Sequence, residues 1–300
     1  MERKSSQPAA RRTGLRIATH CGMDPEVRAA LAALESLARD GRVAVAGTFM
    51  PDPGVSARLA ALGIHEQVEE PDFFRYRQVV IPYAGLSPTD RKRWSEAEIP
   101  LVDLSSAHVR RAQVALGLLR MEGAQPLVIG RHGDPETLAL AATNPGTKII
   151  QDTTDTARLL FSPAFGVVCQ TTLSPRKVAW LLAQLRMRYR DATVTFLDTT
   201  APSMKTRGQA LEEMLDWCDA VVVVGQPGES TCEALTESAD RRGRPAVVTP
   251  DADSFDPAAL ANARRVALTA GGFATDAAIR AVHQLLKNSS STAPTRIPIA

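Results

Sequence analysis

Two carboxyl residues in the turn GDPE, Asp134 and Glu136, are the first candidates for chemistry in this 300-residue sequence. When two neighbouring carboxyls have pKa values that are driven apart, one serves as an acid and the other as a base in proton transfer. The same residues also suit a structural role, in which Asp134 caps a helix that begins at Pro135 and Glu136 lies in its first turn. The sequence leaves both interpretations open.

Other polar side chains occur in turns that directly follow apolar runs. Cys21 comes after LRIATH, and its histidine neighbour suggests either an activated thiolate or, as we favour, a strand end whose side chains face opposite ways. The loop of residues 225–230 follows AVVVV and opens a helix, which suggests an anion site that the charge of Glu229 opposes. We predict no metal site, because the carboxylates that could hold a cation come from separate parts of the chain.

These turns belong to strand, turn and helix phrases that occur three times. The first phrase reads LRIATHCGMDPEVRAAL, then PLVDLSSAHVRRAQVAL, then VTFLDTTAPSMKTRGQAL, and two further phrases follow it in each third of the chain. When the three first phrases are aligned, Cys21, Ser106 and Ala201 take one equivalent place. Arginine recurs after these turns, as Arg28, Arg110 and Arg207. The three either face the predicted cavity or lie on helix surfaces, and the second position explains them without a function.

The repeat predicts an α/β fold of three similar parallel-sheet lobes with a pseudo-threefold, trefoil arrangement around a central cavity. Strands that are apolar throughout, such as AVVVV, need helices on both faces of the sheet, which favours parallel sheets. Polar groups in such sheets gather where the strands end. The predicted lobes are residues 15–99, 100–192 and 193–288, with disordered tails at residues 1–14 and 289–300.

The composition excludes several classes of protein. A hydrophobic content of 44% and a net charge of +2, with no basic stripe, argue against nucleic acid as a partner. No apolar run approaches the roughly 18 residues of a membrane-spanning helix. The four cysteines show no CxxC spacing and indicate a reducing, cytoplasmic compartment. A small-molecule ligand is therefore the expected partner, with a protein partner or a homodimer as a further option.

The phrases in chain order include CGM, AGLS, VDLSS, IGRHGDPE, QTTLSP, DTTAPSMKTRGQA, VVVVGQPGEST and LTAGGFATD. This series resembles the 4-hydroxy-3-methylbut-2-enyl diphosphate reductase family, also called LytB. The resemblance implies a three-lobed α/β fold, one cysteine per lobe that together hold a central iron-sulfur cluster, and polar residues that bind the diphosphate of the substrate.

The chain departs from the family pattern at the cluster and at the diphosphate. Cys21 keeps its cysteine, but Ser106 and Ala201 stand at the other two cluster positions. One thiolate cannot replace three, so we expect no cofactor and consider an iron-sulfur cluster unsupported. The residues that would contact the diphosphate in the family align here with Pro51, Ala84, Asp134, Glu229, Thr231 and Phe273.

Part of the family's site is retained. The resemblance gives Glu136 the place of the family's proton-relay glutamate and Thr171 the place of a threonine that positions substrate. We therefore predict Glu136, Asp134 and Thr171 as catalytic residues. The predicted substrate-binding residues are Asp52, Tyr83, Ser106, Thr172, Glu229, Ser230, Thr231, Phe273 and Cys21.

The leading hypothesis is a LytB-like protein without the cluster, reused as a non-redox enzyme that acts on a small molecule by acid-base chemistry in bacterial specialised metabolism. Two alternatives stay open. The first is a non-catalytic protein that binds a small molecule or a protein partner. The second is a diphosphate reductase whose iron-sulfur cluster has unusual ligands.

Overall fold

The structure, a computed structural model, describes residues 14–68 and 75–291. Its described strands form three four-stranded sheets in which every pair of neighbours is parallel. The α/β class with three similar parallel sheets is therefore confirmed. The described strands are β1 (Gly14–Ile17), β2 (Val43–Val45), β3 (Ile64–His65), β4 (Gln78–Ile81), β5 (Leu101–Asp103), β6 (Gln125–Ile129), β7 (Lys148–Ile150), β8 (Ala164–Cys169), β9 (Thr193–Phe196), β10 (Ala220–Val224), β11 (Ala246–Thr249) and β12 (Arg265–Ala270).

Among the described residues an α-helix follows every strand except β3 and β11, and such crossover helices are what parallel sheets require. None of the described helices has the length and the apolar character that crossing a membrane demands. The described α-helices are α1 (Pro25–Leu37), α2 (Pro53–Ala61), α3 (Pro88–Glu96), α4 (Ala107–Met121), α5 (Pro135–Ala141), α6 (Thr153–Arg158), α7 (Pro175–Arg188), α8 (Pro202–Leu215), α9 (Ser230–Arg241) and α10 (Asp276–Ser291).

All three sheets have the same strand order. The first sheet is β3-β2-β4-β5, the second is β7-β6-β8-β9, and the third is β11-β10-β12-β1. If the strands of each sheet are numbered one to four in chain order, with β1 counted as the fourth strand of the third sheet, every sheet has the order two, one, three, four. This shared order is the structural counterpart of the threefold sequence repeat.

The fourth strand of each sheet comes from the segment that opens the next repeat. Strand β5 opens the second predicted lobe but pairs with β4, β9 opens the third but pairs with β8, and β1 pairs with β12. The sheets therefore divide the strands differently from the predicted boundaries at residues 99/100 and 192/193. The predicted tails lie mostly outside the described residues, although Gly14 belongs to β1 and α10 continues to Ser291.

The chain forms two compact units. The middle unit, Asp24–Lys205, contains the first and second sheets. The terminal unit joins Met1–Met23 with Thr206–Ala300 around the third sheet.

Buried strands explain why each sheet needs two layers of helix. In β10 every residue is buried, and alternate side chains enter two different cores. Val222 and Val224 pack with Val282 and Leu286 of α10 on one face, and the intervening valines pack with Leu211 and its neighbours in α8 on the other. This two-sided burial is what the continuous valine run predicts.

Close packing of a helix against the second sheet depends on a glycine in β8. A Cβ atom at Gly166 would lie 2.7 Å from the Cβ of Leu119 in α4 and 3.1 Å from that of Ala124. Real Cβ atoms do not approach as closely as the first of these distances, so the helix and the sheet are in contact only because this side chain is absent.

We expect Gly166→Ala to lower the free energy of unfolding by about 1–3 kcal/mol, because the added methyl overpacks the interface between α4 and the sheet. Gly117→Ala is a matched control: it makes the same chemical change within α4, where a Cβ meets nothing within 4 Å. It should be neutral or stabilise by up to about 1 kcal/mol. Urea denaturation compares the two, and equal effects would show that Gly166 is not a packing requirement.

Candidate functional site

Each sheet has a topological switch point between its first and third strands, because the connections from these two strands run in opposite directions. In parallel sheets, ligands usually bind at the carboxyl ends of the strands beside such a point. In the second sheet this switch point lies between β6 and β8. The loop after β6 leads to Asp134 and Glu136, and the loop after β8 contains Gln170 and Thr171. The structure thus brings the three predicted catalytic residues to one place in the middle unit.

The side chain of Glu136, which follows β6, bonds a residue that follows β8. Its side chain is buried, with 7% of the residue exposed. Its Oε1 accepts a hydrogen bond from the Thr171 amide at 2.5 Å, and its Oε2 accepts one from the Thr171 hydroxyl at 3.0 Å. The carboxyl group therefore joins the loop after β6 to the loop after β8.

The side chain of Gln170 also connects the loop after β6 to the loop after β8. Its Oε1 accepts hydrogen bonds from the Arg131 amide at 3.1 Å and from the Thr137 hydroxyl at 3.0 Å. Its Nε2 donates to the hydroxyl of Thr172 at 3.0 Å. Gln170 was not among the predicted site residues, although it lies beside Thr171 in the motif QTTLSP. Its contacts make it a positioning residue for Glu136 and Thr171.

Asp134 has the structural role that the sequence left open. Its Oδ1 accepts hydrogen bonds from the amides of Glu136 at 2.9 Å and Thr137 at 3.4 Å, which caps α5. Burial nevertheless raises the pKa of Asp134 from its ordinary value, against the effect of these amide bonds. Asp134 is thus a helix cap that also places a carboxyl beside Glu136.

Burial raises the pKa of Glu136 from 4.5 to about 8. The hydrogen bonds from Thr171 favour the charged form and oppose the rise, and the Asp134 carboxylate adds to it. Most Glu136 side chains therefore carry a proton at neutral pH. A protonated carboxyl that contacts a hydroxyl at the carboxyl ends of two strands is equipped to donate that proton.

Tyr83 and Ser106 contact each other in the loops that follow β4 and β5 of the first sheet, in the same unit. Burial raises the pKa of Tyr83 to about 12, while a hydrogen bond with Ser106 opposes the rise and the carboxylates of Glu26, Asp24 and Glu136 add to it. The Ser106 Oγ accepts the first-turn amide of α4 at 3.2 Å, so it caps that helix. It also lies 3.4 Å from Glu26 Oε2.

Glu26 belongs to this group, although it was not among the predicted site residues. Its Oε1 lies 3.4 Å from Nε2 of His108, while its Oε2 faces Ser106. The tripeptide Asp-Pro-Glu occurs both at residues 24–26 and at residues 134–136, each time at the start of a helix. This repetition in the sequence would have indicated that Glu26 is a site residue like Glu136.

Two predicted substrate-binding residues of the middle unit bond within their own loops. Asp52 caps α2 through a hydrogen bond from the amide of Val55 at 2.9 Å. The Thr172 hydroxyl accepts its hydrogen bond from Gln170. Neither residue contacts Glu136 through these bonds.

The terminal unit holds the other predicted site residues around the switch point between β10 and β12. Glu229, with 6% exposed, accepts a hydrogen bond from the Gly272 amide at 2.9 Å, and Phe273 donates another backbone bond to it. Ser230 and Thr231 are buried in the first turn of α9. Glu229 therefore turns toward the backbone of its own unit.

Arg207 is buried in the same unit, although its pattern placed it on a helix surface. Only 4% of the residue is exposed. Its guanidinium donates to the carbonyls of His20 at 3.2 Å, Gly22 at 2.9 Å and Ala270 at 2.8 Å. These bonds fix the turn that carries Cys21, whose pKa burial raises to about 11 while Arg207 opposes the rise. The thiol form of Cys21 therefore predominates at neutral pH, contrary to an activated thiolate.

The three sheets and the residue groups at their strand ends define a parallel α/β protein built from a threefold repeat. The sequence profile of the LytB protein family matches residues 16–287, so the chain belongs to this family. A 4-hydroxy-3-methylbut-2-enyl diphosphate reductase from Azoarcus sp. is 27% identical over 212 residues, which are 70% of this chain and 68% of the relative. The reductase from Actinobacillus succinogenes is 26% identical over 244 residues, 78% of each chain.

Solved structures show the same fold. The E-1-hydroxy-2-methyl-but-2-enyl-4-diphosphate reductase from Plasmodium falciparum superposes with a TM-score of 0.84 at 20% identity, over 92% of this chain and 89% of that one. A second reductase structure, described as the terminal enzyme of the non-mevalonate pathway, gives a TM-score of 0.64 at 19% identity, over 92% and 99%.

The expectation that the protein needs no cofactor is wrong. The relatives are diphosphate reductases, and enzymes of that family use an iron-sulfur cluster. The residues of this chain do not, however, supply three thiolates at the family's positions. Ser106 caps a helix, and Ala201 is a buried alanine whose amide bonds the Thr171 carbonyl.

The other three cysteines are buried within their units. The Cys169 Sγ contacts the hydroxyls of Thr199 and Thr200, Cys218 packs in an apolar core, and the Cys232 thiol points at Glu229. Within residues 14–68 and 75–291, no three His, Cys, Asp or Glu side chains are grouped so that they could hold a metal ion. A three-thiolate cluster does not fit these residues, and we derive no chemical step through one.

The raised pKa of Glu136 predicts a specific pH dependence of stability. Between pH 4.5 and about 8 the folded protein keeps a proton on Glu136 that the unfolded chain has lost. The free energy of unfolding contributed by this group therefore falls as pH rises through that window, by up to about 1.4 kcal/mol per pH unit. Glu136→Gln has no such proton, so its stability should depend less on pH there.

Urea unfolding at several pH values measures this difference. Glu122→Gln makes the same chemical change at an exposed position at the end of α4 and should follow the wild type. If Glu136→Gln kept the wild-type slope between pH 4.5 and 8, the carboxyl of Glu136 would not be protonated in the folded protein.

Proposed function

We propose that this LytB-family protein is an enzyme that transfers a proton from Glu136 to a small-molecule substrate at the carboxyl end of the second sheet. One observation carries the proposal: a buried carboxyl, protonated at neutral pH, is hydrogen-bonded to the hydroxyl and the amide of a single residue, Thr171. A structural cap would not need this carboxyl, because Asp134 already caps the helix.

The contacts support a relay of the proton through Thr171. In the structure the Thr171 hydroxyl donates to Glu136 Oε2 at 3.0 Å. When that hydroxyl turns its hydrogen to the substrate, its Oγ1 accepts the proton of Glu136 as its own proton passes to the substrate. The Glu136 carboxylate that remains accepts hydrogen bonds from the Thr171 amide and hydroxyl. Charge-assisted bonds of this kind stabilise an anion by about 1.5–3 kcal/mol each. A proton from water then restores the acid.

Neighbouring residues hold these groups in position. Gln170 ties the two loops together, so the distance between Glu136 and Thr171 does not depend on a bound ligand. Asp134 raises the pKa of Glu136 through its charge, which keeps the proton on Glu136 until a substrate atom accepts it. We assign Asp134 and Gln170 positioning roles and Glu136 and Thr171 the proton transfer.

The residues at the first sheet favour a substrate with hydroxyl or carbonyl groups. Tyr83, Ser106 and Glu26 offer a phenol, an aliphatic hydroxyl and a carboxylate in one hydrogen-bonded group. Proton donation is compatible with both elimination and reduction, so the proposal does not depend on whether electrons also reach the substrate. The four free thiols support a reducing compartment such as the cytoplasm.

Incorporation of deuterium from the solvent into a product can test the proposed proton transfer even though the substrate is unidentified. The purified protein is incubated in D₂O with a bacterial small-molecule extract, and mass spectrometry records which compounds change or gain deuterium. A second arm uses the diphosphate named for the relatives, with and without dithionite as reductant, in the absence of oxygen. We expect at least one compound to be converted by the wild type.

The variants decide whether Glu136 is responsible. Glu136→Gln should slow the conversion by about 10²–10⁴-fold, the usual effect of removing a general acid, while Glu122→Gln should retain full activity. Conversion by Glu136→Gln at the wild-type rate would contradict the assignment. If no arm showed conversion but the protein retained a compound, it would be a non-catalytic binding protein instead.

A further inference from the structure

The segment of residues 156–190 carries only positive charges. It contains six arginine or lysine residues and no acidic residue, and it is bounded by Asp155 and Asp191. The whole chain has a net charge of only +2, so the remainder of the chain is net negative. The segment includes the end of α6, strand β8 and helix α7, which all belong to the middle unit. Its basic residues are Arg158, Arg176, Lys177, Arg186, Arg188 and Arg190.

Helix α7 exposes apolar side chains beside some of these cations. Trp180 and Met187 are about half exposed and lie seven positions apart, so they share one face of the helix. Arg176 and Lys177 lie four and three positions before Trp180, which places them on the same side of the helix. The residues that α7 buries lie on the opposite face and are Val178, Leu181, Leu182 and Leu185. The outer face of α7 is therefore both basic and apolar.

The loop after α6 adds two further apolar side chains. Leu160 is 88% exposed and Phe161 is 64% exposed. The residue that follows α7 holds this loop, because the Tyr189 hydroxyl donates a hydrogen bond to the Leu159 carbonyl at 2.6 Å. The two side chains thus lie near the end of α7. We use the name α7 surface for the exposed residues of this loop and this helix face, which are Leu160, Phe161, Arg176, Lys177, Trp180, Met187 and Arg188.

The α7 surface matches an anionic lipid bilayer more closely than it matches a protein partner. Leu160 and Phe161 are neighbours in a non-helical segment, where successive side chains point in different directions, and yet both are exposed. A rigid partner would cover one of these two side chains, whereas fluid lipid can surround both. Arginine and lysine attract anionic headgroups, and tryptophan, phenylalanine and leucine enter the boundary between headgroups and acyl chains.

We propose that the α7 surface binds to the face of an anionic lipid bilayer, with its apolar side chains in the headgroup boundary and its cations at the headgroups. This contact is peripheral. It differs from a membrane span, for which none of the described helices has the required length and apolar character. The proposal makes no use of Glu136, so membrane binding and proton transfer can each fail alone.

Flotation of the full-length protein with lipid vesicles measures the proposed binding. One vesicle preparation is phosphatidylcholine alone, and the other contains equal parts of phosphatidylcholine and phosphatidylglycerol. We expect the partition coefficient of the wild type to be at least about tenfold higher for the anionic vesicles, and to fall as added sodium chloride screens the charges.

Two pairs of substitutions separate the apolar and the charged parts of the α7 surface. Leu160→Ser with Phe161→Ser removes two apolar side chains, and Arg176→Gln with Lys177→Gln removes two charges. Each pair should lower the partition coefficient for anionic vesicles by at least about tenfold.

The matched controls make similar changes at exposed positions outside the α7 surface. They are Leu62→Ser with Leu118→Ser, and Arg111→Gln with Arg120→Gln. Both control pairs should bind anionic vesicles within about twofold of the wild type, because the attraction acts close to the membrane surface. Circular dichroism checks that each variant is folded.

Tryptophan fluorescence locates the contact on the protein. Trp94 is buried and Trp217 packs against the guanidinium of Arg16, whereas Trp180 is half exposed. We expect the emission to move to shorter wavelength when anionic vesicles are added, because Trp180 leaves water. Trp180→Phe should keep most of the binding and lose this shift.

Several results would overturn the proposal. Absence of binding, or equal binding to neutral and anionic vesicles, would remove the anionic bilayer as the partner. Control pairs that weaken binding as much as the α7 pairs would reduce the effect to overall composition, and binding with unchanged emission would place the contact elsewhere. If sedimentation without lipid showed a dimer that Leu160→Ser with Phe161→Ser dissociates, the surface would be a contact between two copies. Binding of soluble polyglutamate as tight as that of anionic vesicles would indicate an acidic protein partner instead.

Discussion

A buried carboxyl that spans the gap between the first and third strands of a sheet is the interaction on which the described sites depend. Glu136 bonds the residue two positions after β8, and Glu229 bonds the residue two positions after β12. A buried carboxyl left without such partners would be costly, so each one fixes the backbone of the opposite loop. The shared strand order places both pairs at equivalent points of their sheets.

The two carboxyls differ in what surrounds them. Glu136 bonds a hydroxyl that can pass a proton on, and its neighbour Asp134 opposes its ionisation. Glu229 contacts two glycine loops and a thiol, and burial raises the pKa of its carboxyl while Arg207 opposes the rise. The proposed proton transfer therefore depends on the contacts of Glu136, whereas those of Glu229 fix its carboxyl against the loop after β12.

The sequence predicts the strands and the threefold repeat and offers the cap at Asp134 as one of two interpretations, because alternation of apolar runs with Pro-containing turns is a local signal. It does not predict that β1, β5 and β9 join the sheet of a neighbouring repeat, since the period is the same whichever sheet receives the strand. Nor does it predict the burial of Arg207. The three carbonyl partners of that residue lie about 60 and 190 residues away in the chain, and no local pattern reports such contacts.

Departures from the family pattern are unevenly distributed between the two units. The middle unit keeps Glu136 and Thr171 and connects them directly, while in the terminal unit Glu229 occupies a place where the resemblance puts a residue that contacts diphosphate. The proposed proton donation uses only the two loops of the second sheet, whereas Glu229 bonds the loop after β12 in the third. Because the two carboxyls lie on different sheets, the departure at Glu229 leaves the hydrogen bonds between Glu136 and Thr171 in place.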